Sequence, residues 1–454
     1  MLKIFTWLKE LFSKHHEGTF DKEARMLKEA DEEAGVNRFM AAQLISFSNA
    51  SYTCAEAARV CIGKHADEDY DKRLEHIKRV VARGHESTIA QSNIVMMISY
   101  DKTYLSDLAE CVDAFKFLNI ADRFHDGRNY LLIGGSIRAY KYFIRHVREM
   151  TNPFCINVIN SLYGAAEREF FEDLIDDGIM QADKFGFAPL AGIEGKYEHK
   201  FDKDGQPYDE EVAVDTGVYQ QPQTKGKVVD IIHADNPYVV YDFVKAFGFD
   251  MTDVLRLTAC TIFFHDFSRS TSQQITRHFA AISQESQRYV DYSKAQFVSP
   301  LPFGDYDLTK VYHATIFNNL KIDATGEDLG NEIAKIYNQL LEQGMLKQDA
   351  RAYLPFNMAT KVLMTFTYAD LIHFIKERAS SAAQPEVRKM AEELTALLGE
   401  HNETSALFSM TSIDTLIEDE ERPRYKEAEK ELMKLDSEID EVISVKEEVT
   451  YVDK

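Results

Sequence analysis

Between Gln273 and Tyr289 the chain reads QQITRHFAAISQESQRY. Arg277, His278 and Arg288 stand beside Gln274, Glu285 and Ser286, with Ile275, Phe279, Ala280, Ala281 and Ile282 threaded between them. A buried guanidinium left without a counter-charge costs roughly 3–5 kcal/mol, so arginines in so apolar a segment call for an anion close by. Arg351 in DARAYLP and Arg378 in DLIHFIKERASS, after an apolar helix stripe, extend the set. The planar fork of arginine donors suits a phosphate or the polar edge of a base. Several such arginines in one region, with Gln274, Glu285 and Ser286, point to a pocket for a nucleotide monophosphate. The competing reading is an ordinary amphipathic turn and helix whose arginines are satisfied at the surface, with His278 a core histidine.

Other reactive side chains are less eloquent. The five cysteines, Cys54, Cys61, Cys111, Cys155 and Cys260, form no C-x-x-C pair, which argues against a zinc site or a disulfide framework and suits a reducing cytoplasm. Cys260 lies in the apolar run LTACTIFF and reads as buried and inert. The histidines converge on no metal pattern; His15 and His16 in KHH read as surface, and Asp266 as a strand-end carboxylate.

The elements that must hold these residues divide the chain. Residues 1–38 read as a charged helical extension, opening on the short amphipathic stretch MLKIFTWLKELFSKHHEG, which lacks a signal peptide's apolar core and cleavage site. Residues 39–180 are mixed: a helix stopping near Gly84, a strand around Ile94–Ser99, and helices in GGSIRAYKYFIRHVREM and INSLYGAAEREFFEDLIDDG. Residues 181–224, rich in Gly, Pro and charge, read as a linker or inserted hairpin around Asp204-Gly205. Residues 225–400 are mixed again, with a strand in ACTIFFHDF and two closing helices, the second with Pro385 in its first turn and Gly399 near its end. Residues 401–454 form an acidic tail with weak helical periodicity. Both mixed segments run strand, polar connection, helix pair, which suggests a degenerate internal duplication.

The 454 residues carry a net charge of −23, with 45% apolar and 28% charged residues, the composition of a soluble globular protein. So acidic a surface argues against a nucleic-acid partner, and no run reaches the ~18 apolar residues of a membrane span. Screening over ~8 Å lets a local arginine cluster outweigh distant carboxylates, so a small phosphorylated ligand is compatible with the charge.

The pattern QxxRHxxx…ESxRY, followed by ARxxLP and a later R…AQ, resembles the flavin-dependent thymidylate synthases, the family often called ThyX. The segment from DARAYLP to AEEL is similar to that family's C-terminal part, and EAARVCIG…GHES and GGSIRAYKYF look like its N-terminal motifs. The resemblance implies an α+β fold of two tandem ThyX-like domains, each a mixed sheet packed with helices, plus helical extensions at both ends. It implies reductive methylation of dUMP, with FAD as cofactor, NADPH as reductant and methylene-tetrahydrofolate as one-carbon donor. Gln274, Arg277, Glu285, Ser286, Arg288, Arg351 and Arg378 then match the family's nucleotide-binding positions. His85, Ser87 or Thr88, and Arg138 match its flavin contacts, and the loop carrying His278 and Phe279 borders the flavin. Arg378, His278 and Ser286 are the expected catalytic set, with no metal.

The matches segregate, flavin side in the first half and nucleotide side in the second. Because the family builds each site from several subunits of a tetramer, the resemblance implies a homodimer imitating that tetramer. Two departures stand out. Phe279 occupies the third position of the family's R-H-R, and the spacing to Ser286 is one residue short. A relative making a hydroxymethylated pyrimidine nucleotide, or a non-catalytic nucleotide-binding relative, is the alternative.

Overall fold

The computed structural model describes residues 40–147, 228–298 and 329–408 with a few positions excepted, isolated residues within 155–171, and short strands within 198–210 and 311–325. The N-terminal helix, most of the helix expected near 160–178 and the acidic tail beyond 408 lie outside the described residues.

Two four-stranded sheets form the frame, and the class is α+β. The first sheet contains β1 (Met40–Phe47), β2 (Ile94–Tyr100), β3 (Asn119–His125) and β4 (Arg128–Gly135), in the order β1-β2-β4-β3. Strands β5 (Glu198–Phe201) and β6 (Pro207–Glu210) pair antiparallel as a separate two-stranded sheet; Asp204-Gly205 lies outside the described residues. The second sheet contains β7 (Val229–Ala234), β8 (Ala259–Ser268), β9 (Ala281–Gln284) and a later strand. After the hairpin of β10 (Val311–Ile316) and β11 (Leu320–Thr325), that strand, β12 (Ala359–Thr367), completes the order β7-β8-β12-β9. Within each sheet the chain runs first, second, fourth, third.

The expected mixed sheets are instead wholly antiparallel. The reason is topological. Helical connections bring β3 back in the direction of β2, and β9 in that of β8, but β4 and β12 insert between those pairs with reversed direction. Between β3 and β4, Gly127 stands at φ +81°, the left-handed conformation that tight hairpin turns favour.

Helices follow the strands in both halves. In the first half these are α1 (Ala50–Val60), α2 (Tyr70–Ala82), α3 (Leu105–Cys111) and α4 (Ile137–Val147). The second half has α5 (Pro237–Val244), α6 (Met251–Leu257), α7 (Arg269–Ile275), α8 (Leu329–Glu342), α9 (Lys347–Ala350), α10 (Tyr368–Arg378) and α11 (Pro385–Glu400). Their starts are chemically marked. Asp69, Asn236, Asp250, Ser268 and Thr367 each accept a backbone N–H of the first turn, and Pro237 and Pro385 stand where a missing N–H costs nothing. Among the described residues no helix is long and apolar enough to cross a membrane.

Alternation along the strands explains why their sequences are apolar throughout. Ile94, Met96 and Ile98 of β2 join a core with Phe115, Tyr140 and Phe143 of the first half. Val95 and Met97 face the other way, into Val240, Val244, Val254 and Leu257 of α5 and α6. The second sheet reciprocates. Ile262, Phe264, Met364 and Phe366 pack on α10 and α11, while Ile232, Phe263 and Leu363 pack on Ala57 and Val60 of α1. Each half thus covers one face of the other's sheet. At about 1.5–3 kcal/mol per fully buried aliphatic side chain, these shared clusters bind the halves strongly. The second core also extends past residue 400, taking in Leu407 and Phe408.

Buried polar groups cross the same seam. Asn93 Nδ2 donates to Asp235 Oδ2 (2.9 Å) and to the Leu257 carbonyl (2.8 Å). Thr365 Oγ1 donates to Gln91 Oε1 at 2.6 Å. A Cβ on Gly134 would stand 2.9 Å from Leu257 Cδ2, so the backbone of β4 approaches α6 only because no side chain is there.

Candidate active site

Helix α7 leads into the arginine-rich loop and is anchored by Glu386 at the start of α11. That carboxylate accepts from the Ser268 N–H (2.8 Å), from the Ser268 hydroxyl and from Thr271 Oγ1 (2.6 Å). Gln274, near the end of α7, donates its side-chain amide to Gln384. The chain then turns through Arg277, His278 and Phe279 and enters β9. A one-residue shortening between Phe279 and Glu285 shifts helical phase by about 100° if the segment is helical. It is a strand: Ile282 and Ser283 pair with Met364 and Leu363 of β12, so a lost residue there would exchange faces rather than rotate. Four residues, AISQ, carry too little alternation to announce a strand.

Arg277, Arg288 and Arg351 are exposed, contrary to the burial expected from their apolar neighbours. Strand β9 lies at the sheet edge, so the turns on either side of it face solvent. Phe279 is 82% exposed. The Arg288 guanidinium lies over the Tyr289 ring, 5.7 Å from its centroid.

His278 and Arg378 meet directly. Arg378 Nε donates to His278 Nε2 at 2.7 Å, so the neutral ring carries its proton on Nδ1. The His278 side chain is only 6% exposed, and its ring stands edge-on to Phe374, 4.9 Å between centroids. Burial first, and the Arg378 charge second, depress the His278 pKa to about 4. The histidine is therefore a neutral acceptor that orients the guanidinium. Glu377 flanks the pair, 3.8 Å from His278 and 3.7 Å from Arg378. His373, one helical turn earlier, reaches Glu377 at 3.2 Å. His278, His373 and Glu377 bring ligand-type atoms within 4.8 Å of one another, a grouping invisible in the sequence because His278 lies far from the helix. Arg378 holds the His278 nitrogen and puts a fixed positive charge beside that cluster.

A second corner forms where the loop returns. Glu285 is buried and accepts a 2.6 Å bond from the Tyr292 hydroxyl. Ser286 donates its N–H to the Cys61 carbonyl at 3.1 Å, seating the loop on the end of α1. Gly63 next to this corner takes φ +70°, a left-handed conformation that favours glycine. Ser286 Oγ also accepts the Arg288 N–H at 3.3 Å. Arg269 belongs to this corner too, although its serine-rich surroundings in the sequence give no reason to single it out.

In the first half, His85 and Ser87 are exposed on the 3-10 turn Glu86–Ala90 and its approach. Thr88 is buried and its hydroxyl donates to the His85 carbonyl at 2.9 Å. Arg138 donates to the Tyr142 hydroxyl at 3.0 Å and lies over that ring. Arg145 also approaches the Tyr142 ring and pairs with Glu86 at 2.9 Å, tying the turn to α4. The turn packs against β9 as well, so the two sets of residues adjoin within one chain. Exposed His85 and Ser87, with the Arg138 guanidinium stacked on an aromatic ring, are donors that fit an anionic dinucleotide such as FAD. Thr88, committed to the backbone, is not such a donor.

Fold and site together define an α+β protein with exposed arginines on the turns around an edge strand, beside a neutral histidine held by Arg378. Residues 230–401 match the family model described as "Thymidylate synthase complementing protein". The chain is similar to the flavin-dependent thymidylate synthase of Geobacter sulfurreducens, 32% identical over 146 residues, covering 32% of this chain and 58% of that protein. For that of Nitratidesulfovibrio vulgaris the identity is 32% over 142 residues, covering 29% and 53%. For that of Corynebacterium aurimucosum it is 30% over 166 residues, covering 36% and 66%. The chain thus spans a little over half the length of the first two relatives.

Proposed function

We propose that this protein is a flavin-dependent thymidylate synthase, converting dUMP to dTMP with methylene-tetrahydrofolate and reduced FAD, and NADPH as reductant. The observation that carries the reading is the Arg378–His278 contact, which joins the loop motif to α10 inside the segment that matches the family. Arg378, oriented by the neutral histidine, polarises the uracil ring and stabilises negative charge as it develops there. Arg277, Ser286, Arg288 and Arg351 take the ribose and phosphate side, with Gln274 and Glu285 positioning the base and loop. His85, Ser87 and Arg138 hold the flavin, and His278 and Phe279 border it. Bound reduced FAD supplies the hydride. No cysteine nucleophile is needed, in keeping with Cys260, whose burial pushes its thiol pKa far up.

The repeated strand order and the reciprocal packing of the halves support an internal duplication. On that reading the chain assembles as a homodimer equivalent to four family subunits, in the cytoplasm. One half is specialised for flavin and the other for nucleotide. Incubating the purified protein with dUMP, reduced flavin and methylene-tetrahydrofolate, then weighing the product, tests the activity. Sizing the native protein and titrating flavin per chain tests the architecture; one full flavin per half would sink the specialisation. Phe279, largely exposed where the family carries arginine, favours one second reading, a hydroxymethylated product, which differs in mass.

A further inference from the structure

His373 and Glu377 stand at i and i+4 on α10, so the helix presents both on one face. His278 reaches that face from the loop after α7. His373 Nε2 lies 3.2 Å from Glu377 Oε1, and His278 Nε2 lies 3.8 Å from Glu377 Oε2. A tetrahedral Zn2+ with bonds of about 2.0–2.1 Å holds its ligand atoms about 3.3 Å apart. The two measured separations bracket that spacing, and ligand-type atoms of all three residues fall within 4.8 Å of one another. Solvent reaches the site through His373 and Glu377, which are exposed, while the His278 ring is fixed edge-on against Phe374. Two imidazole nitrogens with one carboxylate suit a borderline cation such as Zn2+; Mg2+ and Ca2+ take oxygen ligands instead.

Arg378 already uses part of this set. Its Nε donates to the Nε2 lone pair of His278 that a cation would need. A neutral imidazole offers a single acceptor nitrogen, so that hydrogen bond and a metal–nitrogen bond exclude each other. Glu377 has two oxygens: one can ligate while the other faces Arg378, which lies 3.7 Å from Oε2.

We propose that His278, His373 and Glu377 form a binding site for a divalent cation of the zinc class, and that the cation and Arg378 compete for His278 Nε2. Binding forms the metal–nitrogen bond and breaks the hydrogen bond; the guanidinium keeps its proton and turns to Glu377. The cation is therefore an inhibitor, because it removes the contact that orients Arg378. Inhibition of turnover rests on the reading proposed above; the site itself does not.

The test titrates Zn2+ by calorimetry into wild type, His373→Ala and Arg378→Met, in buffer free of thiols, phosphate and chelators. Affinity should fall at least about 30-fold in His373→Ala, which loses one of three ligands. It should rise at least about tenfold in Arg378→Met, which loses both the competing donor and a nearby positive charge. Turnover of dUMP by wild type should be inhibited by Zn2+, restored by EDTA and indifferent to Mg2+. His373→Ala, altered at an exposed position, should keep its basal turnover and melting temperature and tolerate at least about 30-fold more Zn2+. Equal Zn2+ affinity in wild type and His373→Ala overturns the site, and an affinity unchanged or lowered in Arg378→Met overturns the competition. If no dUMP is turned over while Zn2+ binding still needs His373 and is opposed by Arg378, the site stands and the thymidylate reading falls. If dUMP is turned over and Zn2+ binding ignores His373, the reading stands and the site falls.

Discussion

Changing Arg378 to methionine separates the two causes that keep His278 neutral. In the wild type the His278 pKa is about 4, against an ordinary value of 6.5, through burial and then the Arg378 charge. The unfolded chain therefore takes up a proton between pH 6.5 and about 4 that the folded chain refuses. Folding stability from this group is fully present above pH 6.5 and declines as pH falls to about 4. Holding the proton off over that window is worth at most about 3 kcal/mol, and less where water reaches the exposed Glu377 and His373 beside it. Arg378→Met removes the charge and the 2.7 Å bond, itself worth about 1.5–3 kcal/mol. Burial remains, so the pKa should climb from about 4 toward 6.5 without reaching it. Titrating the ring-proton resonances of isotopically labelled histidine in both proteins reads this directly. Turnover of dUMP should drop at least about 100-fold, the scale of losing one preorganised charge donor at a developing anion. A His278 that titrates near 6.5 in the wild type, or at an unchanged value in the variant, refutes the coupling. Undiminished turnover refutes the role of Arg378.

Other consequences can be checked on the same protein. Asn93→Ala leaves Asp235 and the Leu257 carbonyl each short of a buried donor, and urea unfolding should show a loss of about 3 kcal/mol. Gly134→Ala drives a methyl into Leu257 at 2.9 Å, and should lower stability by about 1–3 kcal/mol. Cys260, fully buried with its thiol pKa raised, should resist an aromatic disulfide reagent until the protein unfolds, whereas partly exposed Cys61 should react first. Glu386→Gln weakens the acceptor for Ser268 and Thr271, so helix α7 should lose amide-exchange protection while α4 keeps its own.

The two closing helices are legible in the sequence because Thr367 and Pro385 mark their starts chemically. Strands β2 and β8 are legible from their apolar runs. Which helices cover which face is not. The alternation of Val95 and Met96 looks the same whether the second face meets its own half or the other; only the fold shows Met97 against Val244 and Leu257. Position 266 is a sharper case. Asp266 reads as a strand-end carboxylate, yet it sits inside β8 at φ +53°, where pairing skips between Phe264 and Phe267 and the strand bulges. In the site, Arg277, Ser286 and Arg288 stand out by type and spacing, but the exposure of the two arginines follows from an edge strand too short to see. Arg269 escapes notice because what sets it apart is an unmet hydrogen bond at its buried Nη1, a property of surroundings and not of spacing.

The reciprocal covering of the sheets also has a consequence in time. The last strand of the first sheet ends at Gly135, but the helices that close its second face finish only at Leu257. At 5–20 residues per second, a ribosome needs roughly 6–25 s to bridge that interval. Among the described residues, the helical cover of Val95, Met97 and Leu132 comes from that later segment. The nascent chain must therefore cross a window in which half of its first sheet is an exposed adhesive surface. A host short of chaperones should lose this protein to aggregation during synthesis, and slowing translation within residues 148–228 should lower its soluble yield while leaving the melting temperature of the finished molecule unchanged.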